Sequence, residues 1–219
     1  MTSLPLVIFD CDGVLVDSER LVQDIDLRMI GELGWRITRE EIFTQHLGRS
    51  EAAVTANIER AIGRPVPPDF AHARRDAYEQ SFRDRLTAIP GVRQAVDELH
   101  AVGHETCVAS SGSHARMRLT LGTTGLWSLF EGRIFSADDV THGKPAPDLF
   151  LRAAQELGYR PGHCVVIEDS PAGVSAARSA GMHVIGFSAL TPAALLHDAD
   201  LIIERMAELN HAIRAVRIG

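Results

Sequence analysis

The chain has almost no lysine. Of its 22 basic residues 21 are arginine, and Lys144 is the one lysine among 219 residues. Arginine presents a planar fork of donors, whereas lysine is a compact charge on a flexible stem. Chance could leave one lysine anywhere in the chain. The residues around Lys144, described below, favour a position that a guanidinium does not fit.

Other scarcities exclude whole classes of protein. No run approaches the roughly 18 uncharged apolar residues of a membrane span, and the N-terminus lacks the basic and apolar regions of a signal peptide. Three cysteines without metal-ligand spacing are typical of buried, reduced thiols in a cytoplasmic protein. A net charge of −7 argues against a general affinity for nucleic acid. We therefore expect a cytoplasmic protein with no nucleic-acid or membrane partner, and nothing requires more than a monomer.

An apolar run near the N-terminus leads directly into two carboxylates. Leu6 to Phe9 is continuously apolar, which is typical of a strand buried on both faces, and Asp10-Cys11-Asp12-Gly13 follows it. Two carboxylates at the end of a buried strand repel each other and are costly to desolvate. A cation such as Mg²⁺, which prefers oxygen ligands, would offset that cost. The alternative is an ordinary polar turn, since Asp and Gly are common turn residues.

The periodicity predicts two kinds of structure in two parts of the chain. Apolar stripes at helical spacing continue from Asp17 to about Arg85, and strands alternate with helices from Pro90 onward. Alternation of this kind implies a parallel sheet covered on both faces. We expect an α/β, doubly wound (Rossmann-like) core formed by residues 1–16 and 88–219. An all-helical domain is expected at residues 17–87.

Polar residues follow three of the predicted strands. Asp10 and Asp12 follow the first, Ser110-Ser111 the second and Glu168-Asp169 a later one, while Lys144 lies in the loop 137–147. Ligands of such sheets bind beyond the carboxyl ends of the strands, so these groups are expected to converge on one edge. Carboxylates with one ammonium and a hydroxyl favour a metal-assisted site for a phosphate group. One carboxylate can attack phosphorus while its neighbour exchanges protons.

Four motifs of this sequence, taken in order, resemble those of the haloacid dehalogenase-like hydrolases. The resemblance is closest to the subgroup of β-phosphoglucomutase and small-sugar phosphatases, and it extends over essentially the whole chain. The motifs are Asp10-Cys11-Asp12-Gly13-Val14-Leu15-Val16-Asp17-Ser18, Ser110, Gly143-Lys144-Pro145-Ala146-Pro147-Asp148 and Glu168-Asp169-Ser170-Pro171-Ala172-Gly173.

The resemblance implies a role for each acidic residue. Asp10 would be the nucleophile and Asp12 the general acid–base. Mg²⁺ would be bound by Asp10, the backbone carbonyl of Asp12 and Asp169, with Glu168 nearby, so these four residues form the expected metal site.

The resemblance also implies how the substrate is held. Ser110, Ser111 and Lys144 would bind the transferring phosphoryl group. The helical insert would be a cap that closes over the substrate, and Arg49, in a turn that resembles a substrate-facing turn of the subgroup, could clamp a substrate hydroxyl or carboxylate. A solvated arginine beside a helix cap explains Arg49 as well.

Comparison with the motifs of individual family members favours some of the possible reactions over others. The dehalogenases lack the second aspartate, so Asp12 argues against dehalogenation. The mutase has a histidine shortly after the first motif, whereas Asp17 to Leu21 here is more like the phosphatases. Arg74 or Arg75 lies near the position of a mutase cap lysine, which keeps that alternative open.

The leading hypothesis is a Mg²⁺-dependent phosphatase that hydrolyses a small phosphorylated sugar or sugar acid through an aspartyl phosphate. The alternative is a sugar-phosphate mutase of the β-phosphoglucomutase type. A less favoured hypothesis is a non-catalytic regulatory module that accepts phosphate. Such modules are shorter and lack the helical insert.

Overall fold

A computed structural model of the chain describes residues 4–46 and 51–216. The chain divides into two compact units. The first consists of Met1–Asp17 and Thr87–Gly219, and the second of Ser18–Leu86. These divisions lie one residue from the boundaries expected from the sequence.

The first unit is built on a sheet of six parallel strands. They are β1 (Leu6–Phe9), β2 (Thr106–Ser110), β3 (Ile134–Ser136), β4 (Cys164–Glu168), β5 (His183–Phe187) and β6 (Leu201–Ile203). Their order in the sheet is β3-β2-β1-β4-β5-β6. The doubly wound parallel sheet predicted from the alternating pattern is therefore confirmed.

Helices of the first unit cover both faces of this sheet. Numbered after the four helices of the second unit, they are α5 (Val92–Ala101), α6 (His114–Thr123), α7 (Trp127–Phe130), α8 (Asp148–Glu156), α9 (Pro171–Ser179) and α10 (Leu209–Ala215). The short helix α7 was not expected, because four residues are too few to show a helical period.

Strand β1 lies at the centre of the core, and all four of its residues are fully buried. Leu6 and Ile8 pack into the apolar cluster that α8 and α9 form on one face. On the opposite face the ring of Phe9 meets that of Phe130 edge to face, with centroids 5.9 Å apart. Burial on both faces explains why the run is continuously apolar rather than alternating.

The strand order changes direction beside β1. After β1 the sheet grows through β2 to β3, and the chain then returns to place β4 on the other side of β1. Phe9 is paired with Val108 of β2 and with Ile167 of β4, so the three strands end side by side. A crevice at such a switch point is where ligands of doubly wound sheets bind.

The second unit contains four helices, α1 (Ser18–Glu32), α2 (Arg39–Gln45), α3 (Glu51–Ile62) and α4 (Phe70–Arg85). Its small apolar core includes Ile30, Ile58 and Phe70. A capping box starts α2, because Thr38 and Glu41 each accept a hydrogen bond from the other's backbone N–H. Within the described parts of both units, no helix has the length and hydropathy needed to cross a membrane.

Candidate active site

The single lysine lies between two buried carboxylates at the ends of β1 and β4. Nζ of Lys144 donates to Oδ1 of Asp10 at 2.6 Å and to Oε1 of Glu168 at 2.6 Å. Its third hydrogen bond goes to the carbonyl oxygen of Ala109, on β2, at 3.0 Å. One ammonium with three donors therefore joins the ends of three neighbouring strands.

The side chain of Lys144 is buried. Its side chain is only 4% exposed. Nζ also lies 4.8 Å from the centroid of the Phe150 ring, on the first turn of α8, in cation–π geometry. A guanidinium is larger and planar, so it could not make the same three hydrogen bonds in this space.

Burial is the largest single influence on the pKa values of Asp10 and Lys144. Desolvation raises the pKa of Asp10 from 3.8 to about 7; the charge of Lys144 opposes the rise, whereas those of Glu168 and Asp12 add to it. Burial alone would lower the pKa of Lys144, but the carboxylates of Asp10 and Glu168 outweigh it, and the net pKa lies above the usual value. Lys144 is therefore always charged at neutral pH, while Asp10 is poised between its two forms.

Glu168 is fixed by the start of α9 as well as by Lys144. Its Oε2 accepts hydrogen bonds from the backbone N–H and the hydroxyl of Ser170, each at 2.9 Å. Ser170 in turn caps α9 by accepting from the N–H of Gly173 at 3.0 Å. A Cβ at position 173 would lie 1.8 Å from Oε1 of Glu168, so only glycine permits this approach.

Asp169 lies against the turn that contains Asp12. Gly13 has φ +79°, and a Cβ built on it would lie 2.0 Å from Oδ2 of Asp169. The turn is closed by the N–H of Gly13, which donates to the carbonyl of Val16 at 2.9 Å. Glycine is thus required here both for its conformation and for the space that the Asp169 carboxylate occupies.

The loop after β2 forms another part of the same edge. Ser110 is 1% exposed, and its hydroxyl accepts from the N–H of Gly112 at 3.1 Å. Ser111 is exposed. Ser113 caps α6 by accepting a hydrogen bond from the N–H of Arg116. Backbone N–H groups at such a helix start can bind phosphate oxygens.

Arg116 lies on the first turn of α6, where helical spacing alone is compatible with a side chain that faces either the site or solvent. In the structure Nη2 of Arg116 donates to Oδ1 of Asp12 at 3.0 Å. His114, on the same turn, pairs with Asp139 at 3.0 Å. Arg116 therefore belongs to the acidic edge, and the orientation of its long side chain is what periodicity could not give.

Three arginines of the helical segment were considered from the sequence. Arg49 lies outside the described residues. Arg74 is 6% exposed within the helical unit, where its Nε lies 3.9 Å from Oδ1 of the buried Asp26. Tyr78 donates to the same oxygen of Asp26. Arg75 is exposed.

The charges at the edge fit a divalent cation. With every side chain ionised, the edge carries a formal charge of −2, from four carboxylates (Asp10, Asp12, Glu168 and Asp169) and two cations (Lys144 and Arg116). Carboxylate and carbonyl oxygens are the ligands that Mg²⁺ prefers. Across residues 4–46 and 51–216, no three His, Cys, Asp or Glu side chains are arranged to hold a metal by themselves. Of the four residues expected at the metal site, Asp12 would contribute its backbone carbonyl and Glu168 would lie nearby, so only Asp10 and Asp169 would bind through carboxylates.

Comparison with known proteins decides the family. Residues 4–181 match the family model of the haloacid dehalogenase-like hydrolases. The chain belongs to this family. The assignment made from the four motifs is therefore confirmed.

Several curated relatives of this hydrolase are phosphatases. The 6-phosphogluconate phosphatase of Escherichia coli (strain K12) is 30% identical over 191 residues, covering 86% of this chain and 85% of that protein. Hexitol phosphatase A of the same organism is 31% identical over 205 residues, covering 93% and 92%. Two longer relatives from Arabidopsis thaliana match most of this chain, which covers only 19% and 54% of their lengths. The prediction that the hydrolase is a phosphatase is confirmed.

A solved structure agrees with the fold of the hydrolase. The crystal structure of a haloacid dehalogenase family hydrolase from Deinococcus radiodurans R1, with bound phosphate and sodium, superposes with a TM-score of 0.84. It is 31% identical, and the match covers 98% of this chain and 97% of that one.

The raised pKa of Asp10 predicts how the stability of the metal-free protein depends on pH. An unfolded aspartate ionises near pH 4, whereas folded Asp10 keeps its proton until about pH 7. Stability from this group is therefore present at low pH and is lost as the pH rises to about 7. From pH 5 to pH 8, wild type should lose on the order of 2 kcal/mol relative to Asp10→Asn. Urea unfolding in EDTA at the two pH values measures this difference.

The control for this measurement is Asp84→Asn, which removes an exposed carboxylate on α4. Its difference from wild type should be the same at both pH values. A difference between Asp10→Asn and wild type that also stays constant would show that Asp10 ionises normally in the folded protein.

Proposed function

We propose that this phosphatase hydrolyses a small phosphorylated sugar or sugar acid with Mg²⁺, through a phosphoryl group carried transiently on Asp10. The observation that carries the proposal is the contact between buried Asp10 and Lys144 at the end of β1, which orients one carboxylate beside a fixed positive charge. A buried carboxylate oriented by a cation is suited to attack phosphorus.

The comparisons support the substrate class. The relatives named above act, by their names, on 6-phosphogluconate and on hexitol phosphates. Both are small polyhydroxylated phosphate esters, and the first is a sugar acid. The bound phosphate of the Deinococcus radiodurans structure supports an anion site in the same fold.

In the first chemical step, an oxygen of the Asp10 carboxylate attacks phosphorus and forms a new O–P bond. The ester O–P bond breaks, and its electron pair remains on the leaving oxygen. The carboxylic acid of Asp12 gives that oxygen a proton, so the product leaves as an alcohol. Acid catalysis of this kind contributes about 10²- to 10⁴-fold.

In the second step, water attacks the phosphorus atom of the aspartyl phosphate. Asp12, now a carboxylate, takes a proton from that water, and the bond between Asp10 and phosphorus breaks. Inorganic phosphate leaves, and both aspartates return to their starting forms. The cycle therefore needs no reactant besides the ester and water.

The remaining groups at this edge of the sheet would bind the phosphoryl oxygens and Mg²⁺. Lys144, Ser110 and Ser111, with the N–H groups at the start of α6, would bind the oxygens of the phosphoryl group. Asp10, Asp169 and the Asp12 carbonyl would hold Mg²⁺, with Glu168 beside them. When bound, Mg²⁺ supplies positive charge that offsets the repulsion between the carboxylates and the phosphate. The prediction that residues 17–87 form a cap that selects the substrate stays a prediction, as does the role of Arg49.

Replacing Asp10 by Asn tests the proposed nucleophile. Phosphate release is measured with purified protein and Mg²⁺ over a panel of sugar phosphates, sugar-acid phosphates and hexitol phosphates. Asp10→Asn should lower release at least about 10³-fold because an amide cannot take the nucleophile's role. Circular dichroism and thermal unfolding should show that the variant is folded.

Two results would contradict this proposal. Retained turnover in Asp10→Asn would remove Asp10 from the nucleophilic role. Conversion of a hexose 1-phosphate to its isomer without net phosphate release would favour the mutase instead.

Replacing Lys144 by Arg tests whether the position requires lysine. We expect at least about a 10²-fold loss of kcat, because a guanidinium cannot donate to Asp10, Glu168 and the Ala109 carbonyl together without displacing one of them. Steady-state kinetics on the best substrate of the panel gives the measurement.

The matched control exchanges the same two residue types at an exposed position. Arg152→Lys changes a residue on α8 whose side chain is 46% exposed and pairs with Glu156. Its kcat should be unchanged. Near-normal turnover in Lys144→Arg would show that the lone lysine carries no special requirement.

A further inference from the structure

The contact between Arg116 and Asp12 has no part in the family motifs, yet it joins a helix to the expected acid–base residue. Nη2 of Arg116 lies 3.0 Å from Oδ1 of Asp12, and 104 positions separate the two in sequence. The side chains are 34% and 20% exposed, respectively. An ion pair this accessible to water contributes little to folding stability. The ion pair is better suited to orienting the carboxyl group of Asp12 than to stabilising the fold.

The side chain of Arg116 passes beside Gly112 on its way to Asp12. A Cβ at position 112 would lie 3.4 Å from Cδ of Arg116 and 3.7 Å from Oδ2 of Asp12. The arginine stem and the Asp12 carboxyl group therefore both lie alongside the bare Cα of Gly112.

The loop and helix that carry Arg116 are themselves anchored. The hydroxyl of Ser136, at the end of β3, donates to the carbonyl of Gly112 at 2.8 Å. Asp139 accepts from the N–H of Ser136 at 2.8 Å and pairs with His114, the first residue of α6. Ser113 caps the same helix. The guanidinium is therefore presented from a fixed helix start rather than from a loose surface turn.

We propose that Arg116 is a positioning residue that holds the Asp12 carboxyl group in the orientation needed to exchange a proton with the ester oxygen. The proposal rests on the function proposed above, in which Asp12 protonates the leaving oxygen as the ester O–P bond breaks. Arg116 acts through Asp12 and makes no bond to the reacting atoms. A carboxyl group with one oxygen held by a charged hydrogen-bond donor rotates less freely away from that orientation.

Leaving-group dependence separates this role from a structural one. An alkyl phosphate needs a proton on its leaving oxygen, whereas p-nitrophenyl phosphate releases a weakly basic phenolate that needs little help. Arg116→Gln should lower kcat/KM about 10- to 100-fold for the best alkyl phosphate of the panel and less than about 3-fold for p-nitrophenyl phosphate. A loss of equal size for both esters would overturn the proposal.

A double-mutant cycle asks whether the effect passes through Asp12. With the alkyl phosphate, Arg116→Gln should have no further effect on kcat/KM once Asp12 is replaced by Asn. If Arg116 instead contacted the substrate directly, the loss would persist in the Asp12→Asn protein, and the proposal would fail. Failure of the proposed function itself is distinguishable, because Asp10→Asn would then keep its turnover.

The matched control is Arg118→Gln on the same helix. The guanidinium of Arg118 lies over the ring of Trp127, 4.5 Å from its centroid. This substitution should leave the ratio of kcat/KM between the two esters unchanged. Thermal unfolding of both variants tests folding, and if Arg118→Gln changed the ratio as Arg116→Gln does, the effect would belong to the helix and not to Arg116.

Discussion

The site depends on one buried ammonium placed between two buried carboxylates. Without Lys144, Asp10 and Glu168 would be desolvated together at the ends of adjacent strands, and their mutual repulsion would favour protonation of one of them. With it, each carboxylate has a hydrogen bond of 2.6 Å. Lys144 does not fully offset the desolvation of Asp10, because the pKa of Asp10 still lies near 7. An edge that keeps excess negative charge is suited to a cation and, through that cation, to a phosphate ester.

The doubly wound sheet is what allows distant parts of the chain to meet at this point. Lys144 is 134 positions from Asp10 and 24 from Glu168. The strand order reverses beside β1, so the ends of β1, β2 and β4 are neighbours although the chain reaches them far apart in sequence. Each strand is fully buried, which makes its end a fixed point for the polar residue that follows. The fold thus fixes the positions of the strand ends, and the residues that follow the strands provide the reactive side chains.

Much of this could be predicted from the sequence because strand ends are easy to locate. Leu6–Phe9 is continuously apolar, so its end and the position of Asp10 follow directly, and caps such as Ser113 and Ser170 are local signals. The partner of Arg116 could not be predicted, since a long side chain on a first helical turn can face solvent or the site with the same periodicity. The pairing of Arg74 with Asp26 inside the helical unit was missed for the same reason. Sequence patterns locate backbones well, but they leave long, charged side chains undetermined.

The central claim, that Asp10 accepts the phosphoryl group of the substrate, is tested most directly by trapping that group on the protein. The wild-type enzyme is mixed with its best substrate and Mg²⁺, quenched in acid within one turnover and mapped by peptide mass spectrometry. The account predicts a phosphoryl adduct on the peptide that contains Asp10, which hydroxylamine removes as expected for an acyl phosphate. An adduct on a different residue, or rapid phosphate release with no adduct at any quench time, would contradict it.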